Sequence, residues 1–384
     1  MTKRDQARLR ALTELEAGRL SREEASSVLG VSERQMWRLL GAFRRQGAAG
    51  LVHGNRGRRP LHACRPELGD RVAELARTTY AGFNQHHFAE KLATEEGIEI
   101  SVSTVRRMLA AHDIGAPRPQ RRTRHRRRRM RRTQEGALLQ LDGSVHDWLE
   151  GRGPKFTLIG AIDDATGRIW ASFQEAEDSA GYFELLKGIV QENGVPLAIY
   201  TDKHAVFGGG SRRTPERVRN GNPLFSSHFT KLLTRLEVML ILARSPQAKG
   251  RVERMWRTLQ DRLVSELRLN KVQSLSTANF VLQRYVQQHN RLFVIPAHDP
   301  EPAWEPWTLP TSIADNFCWS YSRVVSLDNT VRVHGIVLQL DPDPAGLPLA
   351  RSRVEVRRRL DGSFAVLKGP LSIPFTLFQE HQAA

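Results

Sequence analysis

The chain has 384 residues, room for two or three domains with cores of their own. Its formal net charge is +17, from 58 Lys and Arg against 41 Asp and Glu; such an imbalance opposes compaction and instead concentrates polyanions at the surface, so nucleic acid is the first partner to consider. The two cysteines, Cys64 and Cys318, exclude a disulfide framework or a zinc cluster, no stretch approaches the roughly 20 apolar residues of a membrane span, and the N-terminus lacks a signal-peptide pattern, so a soluble, cytoplasmic protein with no membrane partner is expected.

In chain order, Ala7, Leu9, Ala11, Leu12 and Leu15 fall near helical spacing and Gly18 stops the run. Ser21 with Glu24 three residues on is a capping box for a second short helix, which ends at Leu29-Gly30. Ser32 caps a third, with Met36, Leu39, Leu40 and Phe43 on one side and Arg34, Gln35, Arg38, Arg44 and Arg45 available on the other. Short helix, glycine turn and cationic helix make up a helix-turn-helix layout, whose last helix enters the major groove. A similar three-part pattern recurs at 67–78, 84–95 and a Ser101-capped segment carrying Val105, Leu109, Arg106 and Arg107. Between the two lies Gly54-Asn55-Arg56-Gly57-Arg58-Arg59-Pro60, a cationic arm suited to a minor groove.

Nine of the twelve residues from Arg121 to Arg132 are arginine: Arg121, Arg122, Arg124, Arg126, Arg127, Arg128, Arg129, Arg131 and Arg132. A block of one charge with no interspersed acid cannot pack on itself, and phosphate contact is its expected role. From Leu138 the texture changes to strands at 138–143, 156–162 and 168–173, joined at Asp163-Asp164-Ala165-Thr166-Gly167, whose two aspartates are read as turn formers. A helix over 179–192, a strand over 197–200, a helix over 227–236, a strand over 238–242 and a long helix from about Ala248 to Leu269 follow, the order of an α/β sheet. Another helix covers 277–290, and valine alternation after Ser322 predicts a small all-β barrel or sheet. The expected division is a helix-turn-helix domain (1–53), a basic linker (54–65), a second such domain (66–117), an arginine-rich linker (118–134), the α/β domain (135–312) and the β tail (313–384).

Three carboxylates stand out. Asp142 and Asp202 end predicted strands, where open α/β sheets place ligands, and Glu253 opens a helix after a cationic loop. Three carboxylates converging on one point repel unless cations lie between them, and two divalent ions suit an in-line phosphodiester displacement, with hard oxygen ligands selecting Mg²⁺ or Mn²⁺. Lys249 and Arg257, four residues either side of Glu253, and Lys203 beside Asp202 could position phosphate oxygens. His86 and His87 lack zinc spacing and are expected at the surface or in contact with DNA, and Trp148 and Trp256 in the core.

The blocks Gln140-Leu141-Asp142-Gly143-Ser144, Tyr200-Thr201-Asp202-Lys203-His204 and Ser245-Pro246-Gln247-Ala248-Lys249-Gly250-Arg251-Val252-Glu253-Arg254 resemble the three signature blocks of DDE transposases with a retroviral-integrase-like, RNase H-type core. With Ile162–Gly167 and Thr258–Leu263 added, the chain is similar to the insertion-sequence group called ISNCY. The resemblance implies binding of terminal inverted repeats, metal-dependent strand cleavage, and attack of the freed 3′-hydroxyl on target DNA by at least a dimer. One departure is the 51 positions from Asp202 to Glu253, longer than in integrases. A nuclease of the same core without joining activity, and a DNA-binding regulator derived from a transposase, are the competing readings.

Overall fold

The computed structural model describes residues 2–52, 64–117, 129–202, 205–207, 227–243, 250–342, 346 and 348–378. The chain forms two compact units, Met1–Arg71 and Val72–Ala384. In the first, α1 (Lys3–Glu16), α2 (Arg22–Leu29) and α3 (Glu33–Gln46) enclose Leu12, Ala25, Met36, Leu39, Leu40 and Leu51. The expected caps form: Ser21 and Glu24 satisfy each other's backbone N–H groups, and the Ser32 hydroxyl accepts from Gln35 N. Gly30 closes α2 at φ +59°, a conformation that favours glycine.

In the second unit, α5 (Gln85–Thr94) and α6 (Val102–Ala111) follow α4 (Pro66–Arg77), within which the boundary between the units falls. Next come β1 (Leu139–Val145), β2 (Thr157–Asp163), β3 (Ile169–Gln174), α7 (Ser179–Asn193), β4 (Ala198–Thr201), α8 (His228–Arg235), β5 (Met239–Leu242), α9 (Gly250–Leu269) and α10 (Leu275–Phe293). The five strands make one sheet in the order β3-β2-β1-β4-β5. The first three are antiparallel, whereas β4 runs parallel to β1 and β5 parallel to β4. β2 is buried along its whole length, consistent with its apolar run, because helices cover both faces of the sheet. One face packs on Tyr182, Phe183 and Leu186 of α7 and Phe229 and Leu232 of α8, and the other on Met255, Trp256 and Leu259 of α9 and Leu282 of α10.

The free edge of β3 is closed by two asparagines of α10. Asn279 bonds both Phe173 N (2.8 Å) and Phe173 O (3.0 Å), and Asn290 does the same for Ile169 at 2.9 Å each. Each amide replaces a missing neighbour strand, which blunts an edge that would otherwise recruit another chain.

On the same helix His289 is buried, and burial, helped by the charge of Arg262, pushes its imidazole down to about 4 from an ordinary 6.5. The unfolded chain therefore binds a proton before the folded one does, so this group's stability is full above pH 6.5 and is lost as pH falls towards 4. His289→Leu is expected to remove about 3 kcal/mol of acid sensitivity between those limits, read from urea midpoints at pH 7 and pH 4.5; equal acid sensitivity in both proteins would refute it.

Beyond a short helix α11 (Ile313–Asn316), the tail is all β, as expected. Among the described residues its ladders form two sheets, β11-β10-β9-β6 and β12-β8-β7, rather than one closed ring. Here β6 is Cys318–Val324, β7 Thr330–Val333, β8 Ile336–Leu340, β9 Arg353–Arg359, β10 Phe364–Lys368, β11 Leu371–Ile373 and β12 Phe375–Phe378. Both bury one cluster that includes Val331, Leu338, Val356 and Val366. The tail also completes the α/β core, because Phe317 is fully buried in the α7 and α8 cluster, Arg235 of α8 donates to Asn316 O (2.7 Å), and Ser320 N donates to His228 Nδ1 (3.1 Å). Two arginines of β9 are paired: Arg357 with Glu355 (2.9 Å) and Arg359 with Asp315 (2.5 Å).

Among the described residues no helix is long and apolar enough to cross a membrane.

Candidate active site

Alternation along β1 decides where Asp142 points. Leu139 and Leu141 enter the cluster under α7, so Gln140, Asp142 and Ser144 face α9. Three bonds join that face to the helix. Val252 N donates to Gln140 Oε1 (3.3 Å), Trp256 Nε1 to Asp142 Oδ2 (2.9 Å), and Gln260 Nε2 to Ser144 Oγ (3.3 Å). The strand advances by two residues, about 6.6 Å, for every four of the helix, about 6.0 Å, so the periods match and α9 lies along β1. The Trp256 indole reaches Asp142 by crossing Gly160, which pairs with Asp142 on β2; a Cβ on Gly160 would lie 2.7 Å from the indole ring. Trp256 is buried, as expected of it, and is also a partner of the site that the sequence did not indicate. Trp148 is buried in the same cluster.

The ladder between β1 and β4 pairs Leu139 with Ile199 and Gln140 with Tyr200. Continuing that offset brings Asp202, the residue after β4, level with Asp142 on the neighbouring strand, at the inter-strand spacing of about 4.8 Å. Asp202 is half-buried and Glu253, in the first turn of α9, is exposed, three residues before Trp256. Among the described residues no three of His, Cys, Asp and Glu stand close enough to share one ion. Carboxylates are hard oxygen ligands, so these residue types suit a divalent cation of the Mg²⁺ or Mn²⁺ type.

Another carboxylate lies over the residue after Asp142, on the α7 side of the sheet. Glu177 accepts from the Tyr182 hydroxyl (2.7 Å) and occupies the space over Gly143, where an added Cβ would lie 2.5 Å from its carboxyl carbon. Burial pushes the Tyr182 phenol above its ordinary range, and the charges of Glu177, Asp142 and Asp202 add to that. Glu177 escaped sequence reasoning; the only local signal is a glycine directly after Asp142.

The far half of α9 is fastened to α5. Arg262 makes a fork with Glu90 (2.6 and 3.0 Å), Asn84 donates to Asp261, and the buried Glu266 accepts from His87 (2.8 Å) and Lys91 (3.0 Å). His87 is therefore not a surface residue: it is 2% exposed and its Nε2 bonds Glu266 of α9.

Arg34, Arg38, Arg106, Arg107 and Arg257 are exposed and Gln35 partly so; Arg106 also donates to Gln85 (3.1 Å). Arg129 is half-exposed and paired with Asp164. Arg56, Arg58, Arg59, Arg121, Arg122, Arg124, Arg126, Arg127, Arg128, Lys203 and Lys249 lie outside the described residues.

The fold is a mixed α/β core in which two neighbouring interior strands carry acidic residues, Asp142 within β1 and Asp202 directly after β4. A protein of Sinorhizobium fredii named as a transposase, y4bF, is 34% identical over 384 residues, covering 100% of this chain and 82% of its own length. The transposase for insertion sequence IS1202 of Streptococcus pneumoniae is 34% identical over 315 residues, 72% of this chain and 65% of that protein. The chain belongs to the insertion-sequence transposases, enzymes of the polynucleotidyl transferase class that cleave DNA and transfer strands. No family model matches it. Among solved structures, the HTLV-2 integrase catalytic core domain in complex with magnesium is 18% identical and covers 41% of this chain and 86% of its own, at TM-score 0.31. The simian T-cell lymphotropic virus intasome in complex with the PP2A regulatory subunit B56 gamma is 16% identical and covers 80% of this chain and 100% of its own, at TM-score 0.34.

Proposed function

We propose that the chain is a DDE transposase of the ISNCY type, with Asp142, Asp202 and Glu253 as the ligands of two Mg²⁺ or Mn²⁺ ions. The observation that carries this is the β1–β4 register, whose continuation levels Asp202 with Asp142, beside a helix locked along β1 that has Glu253 in its first turn. Such ions, when bound, stabilise charge on the attacking and leaving oxygens of a phosphodiester displacement. The chain's own groups orient the carboxylates: Trp256 holds Asp142 by one oxygen, and the bonds from Gln140 and Ser144 fix the helix that carries Glu253.

The exposed arginines of α3 and α6 suit base edges of the terminal inverted repeats, and the 121–132 block and the 56–59 arm suit phosphates, which fix position without reading sequence. Lys203, Lys249 and Arg257, adjacent in sequence to the carboxylates, suit phosphate oxygens of the cut strand. The six-part division of the chain belongs to the same proposal, with the two helical modules as end binders and a homodimer or higher oligomer pairing two ends with target DNA.

The test is a joining assay with labelled end DNA and a target plasmid. Nicking at the 3′ end followed by covalent joining, both dependent on Mg²⁺ or Mn²⁺ and abolished by chelation, is expected. Cleavage without joining would indicate a nuclease, and binding without either would indicate a regulator.

A further inference from the structure

Two adjacent buried aspartates at the end of β2 keep different company. Asp163 is consumed by its own turn, accepting from Thr166 N (2.7 Å), Thr166 Oγ1 (2.8 Å) and Gly136 N (3.0 Å). A hairpin needs no second buried charge, yet Asp164 is also fully buried. Its Oδ2 accepts from Arg132 N (2.9 Å), and its Oδ1 accepts from Gln140 Nε2 (2.9 Å) and Arg251 Nε (2.7 Å) while pairing with Arg129.

Two of those partners lead to α9. Arg251 is its second residue, and the other end of the Gln140 amide accepts from Val252 N. Both features are unusual for a first turn. An N–H there has no partner within the helix, and Gln140 supplies one. A guanidinium near the positive end of the helix dipole is unfavourable, more so when it is buried, and Asp164 neutralises it. The first turn is thus tied twice to one carboxylate, once directly and once through Gln140, and the next residue is Glu253.

We propose that Asp164 is a positioning residue for the transposase reaction: through Arg251 and Gln140 it sets the direction in which α9 presents Glu253 to Asp142. The inference rests on the reading of Glu253 and Asp142 as metal ligands. It explains why a buried charge cluster joins the β2–β3 turn to a helix 87 positions away in sequence. The Arg129 guanidinium on the same oxygen also ties the end of the arginine block to that cluster.

The experiment compares full-length Asp164→Asn, Asp163→Asn, Asp142→Asn and the double variant Asp164→Asn/Arg251→Gln by thermal melting, by Mn²⁺ binding followed with electron paramagnetic resonance, and by the Mg²⁺ dependence of end cleavage. Asp164→Asn and Asp163→Asn are both expected to melt earlier. Only Asp164→Asn should weaken Mn²⁺ binding, by about tenfold or more as for other groups that orient a ligand, and raise the Mg²⁺ requirement equally. The double variant removes both buried charges, so it should recover melting temperature without recovering Mn²⁺ affinity, which a purely stabilising role would restore together; it also keeps the test open if Asp164→Asn does not fold. Wild-type Mn²⁺ affinity in Asp164→Asn, or a loss equalled by Asp163→Asn, overturns the proposal. Wild-type Mn²⁺ affinity in Asp142→Asn would instead overturn the reading of the site on which it rests.

Discussion

Glu253→Gln is expected to bind end DNA as the parent chain does and to lose cleavage and joining together, by on the order of 10³-fold, the scale on which removal of a group that stabilises transition-state charge is felt. The substitution keeps the shape of an exposed side chain, so folding should not change. Glu237 provides the comparison. It is exposed and precedes β5, and because β5 runs parallel to β4 with Ala198 beside Met239, it lies at the end of the sheet opposite Asp202, about 20 Å away along the strands at 3.3 Å per residue. Glu237→Gln should cleave at the wild-type rate. Single-turnover cleavage of a labelled end, with binding measured separately by mobility shift, checks both; near-normal cleavage by Glu253→Gln would remove it from the ligand set.

The second large effect falls on stability. Glu266→Gln takes from Lys91 and His87, both buried, the anion they share, leaving Lys91 only the exposed Glu95 at 3.6 Å, and breaking a buried pair in this way costs about 3–5 kcal/mol. Glu266 is the fastening between α9 and α5. Burial pushes its carboxyl up, but the His87 hydrogen bond and the Lys91 ammonium pull it further down, so it lies below the ordinary glutamate range. Its contribution is therefore complete above the unfolded value of about 4.3 and disappears as pH falls through the lower folded value. At neutral pH the variant should melt well below the parent, while at low pH the two should converge. A variant as stable as the parent at pH 7 would show that the pair contributes nothing net.

The features legible in the sequence were local ones. Caps at Ser21 and Ser32 and the Gly30 stop need only neighbours within four residues, and they form as read. The strand end before Asp202 follows from a short apolar run with a polar terminus, and the turn role of Asp163 from its sequence context, whereas β1 does not end near Asp142 as its polar residues suggest but continues to Val145 through its pairing with β2. What stayed hidden joins residues far apart in the chain: the Trp256 bond to Asp142, the Glu177 carboxylate over Gly143, His87 paired with Glu266, and Phe317 of the tail completing the α/β core. No propensity or spacing encodes which helix crosses which strand, and the misplacement of His87 at the surface has that origin. The tail shows the same limit, since charge pattern alone could not reveal that Glu355 and Asp315 neutralise two arginines of β9.

The matched advance of β1 and α9 also bears on how this enzyme can change over evolutionary time. One residue inserted between Val252 and Gln260 would rotate everything beyond it by about 100° around the helix, since 3.6 residues complete a turn. If it fell before Trp256, both the indole and Gln260 would lose their strand partners, while Glu253 would remain in place without its orienting neighbours. Point substitutions within this span can be absorbed one rung at a time, but gains and losses of length cannot. Related elements should therefore differ in length at surface connections, and keep a constant spacing from Glu253 to Gln260 even where the residues between have diverged.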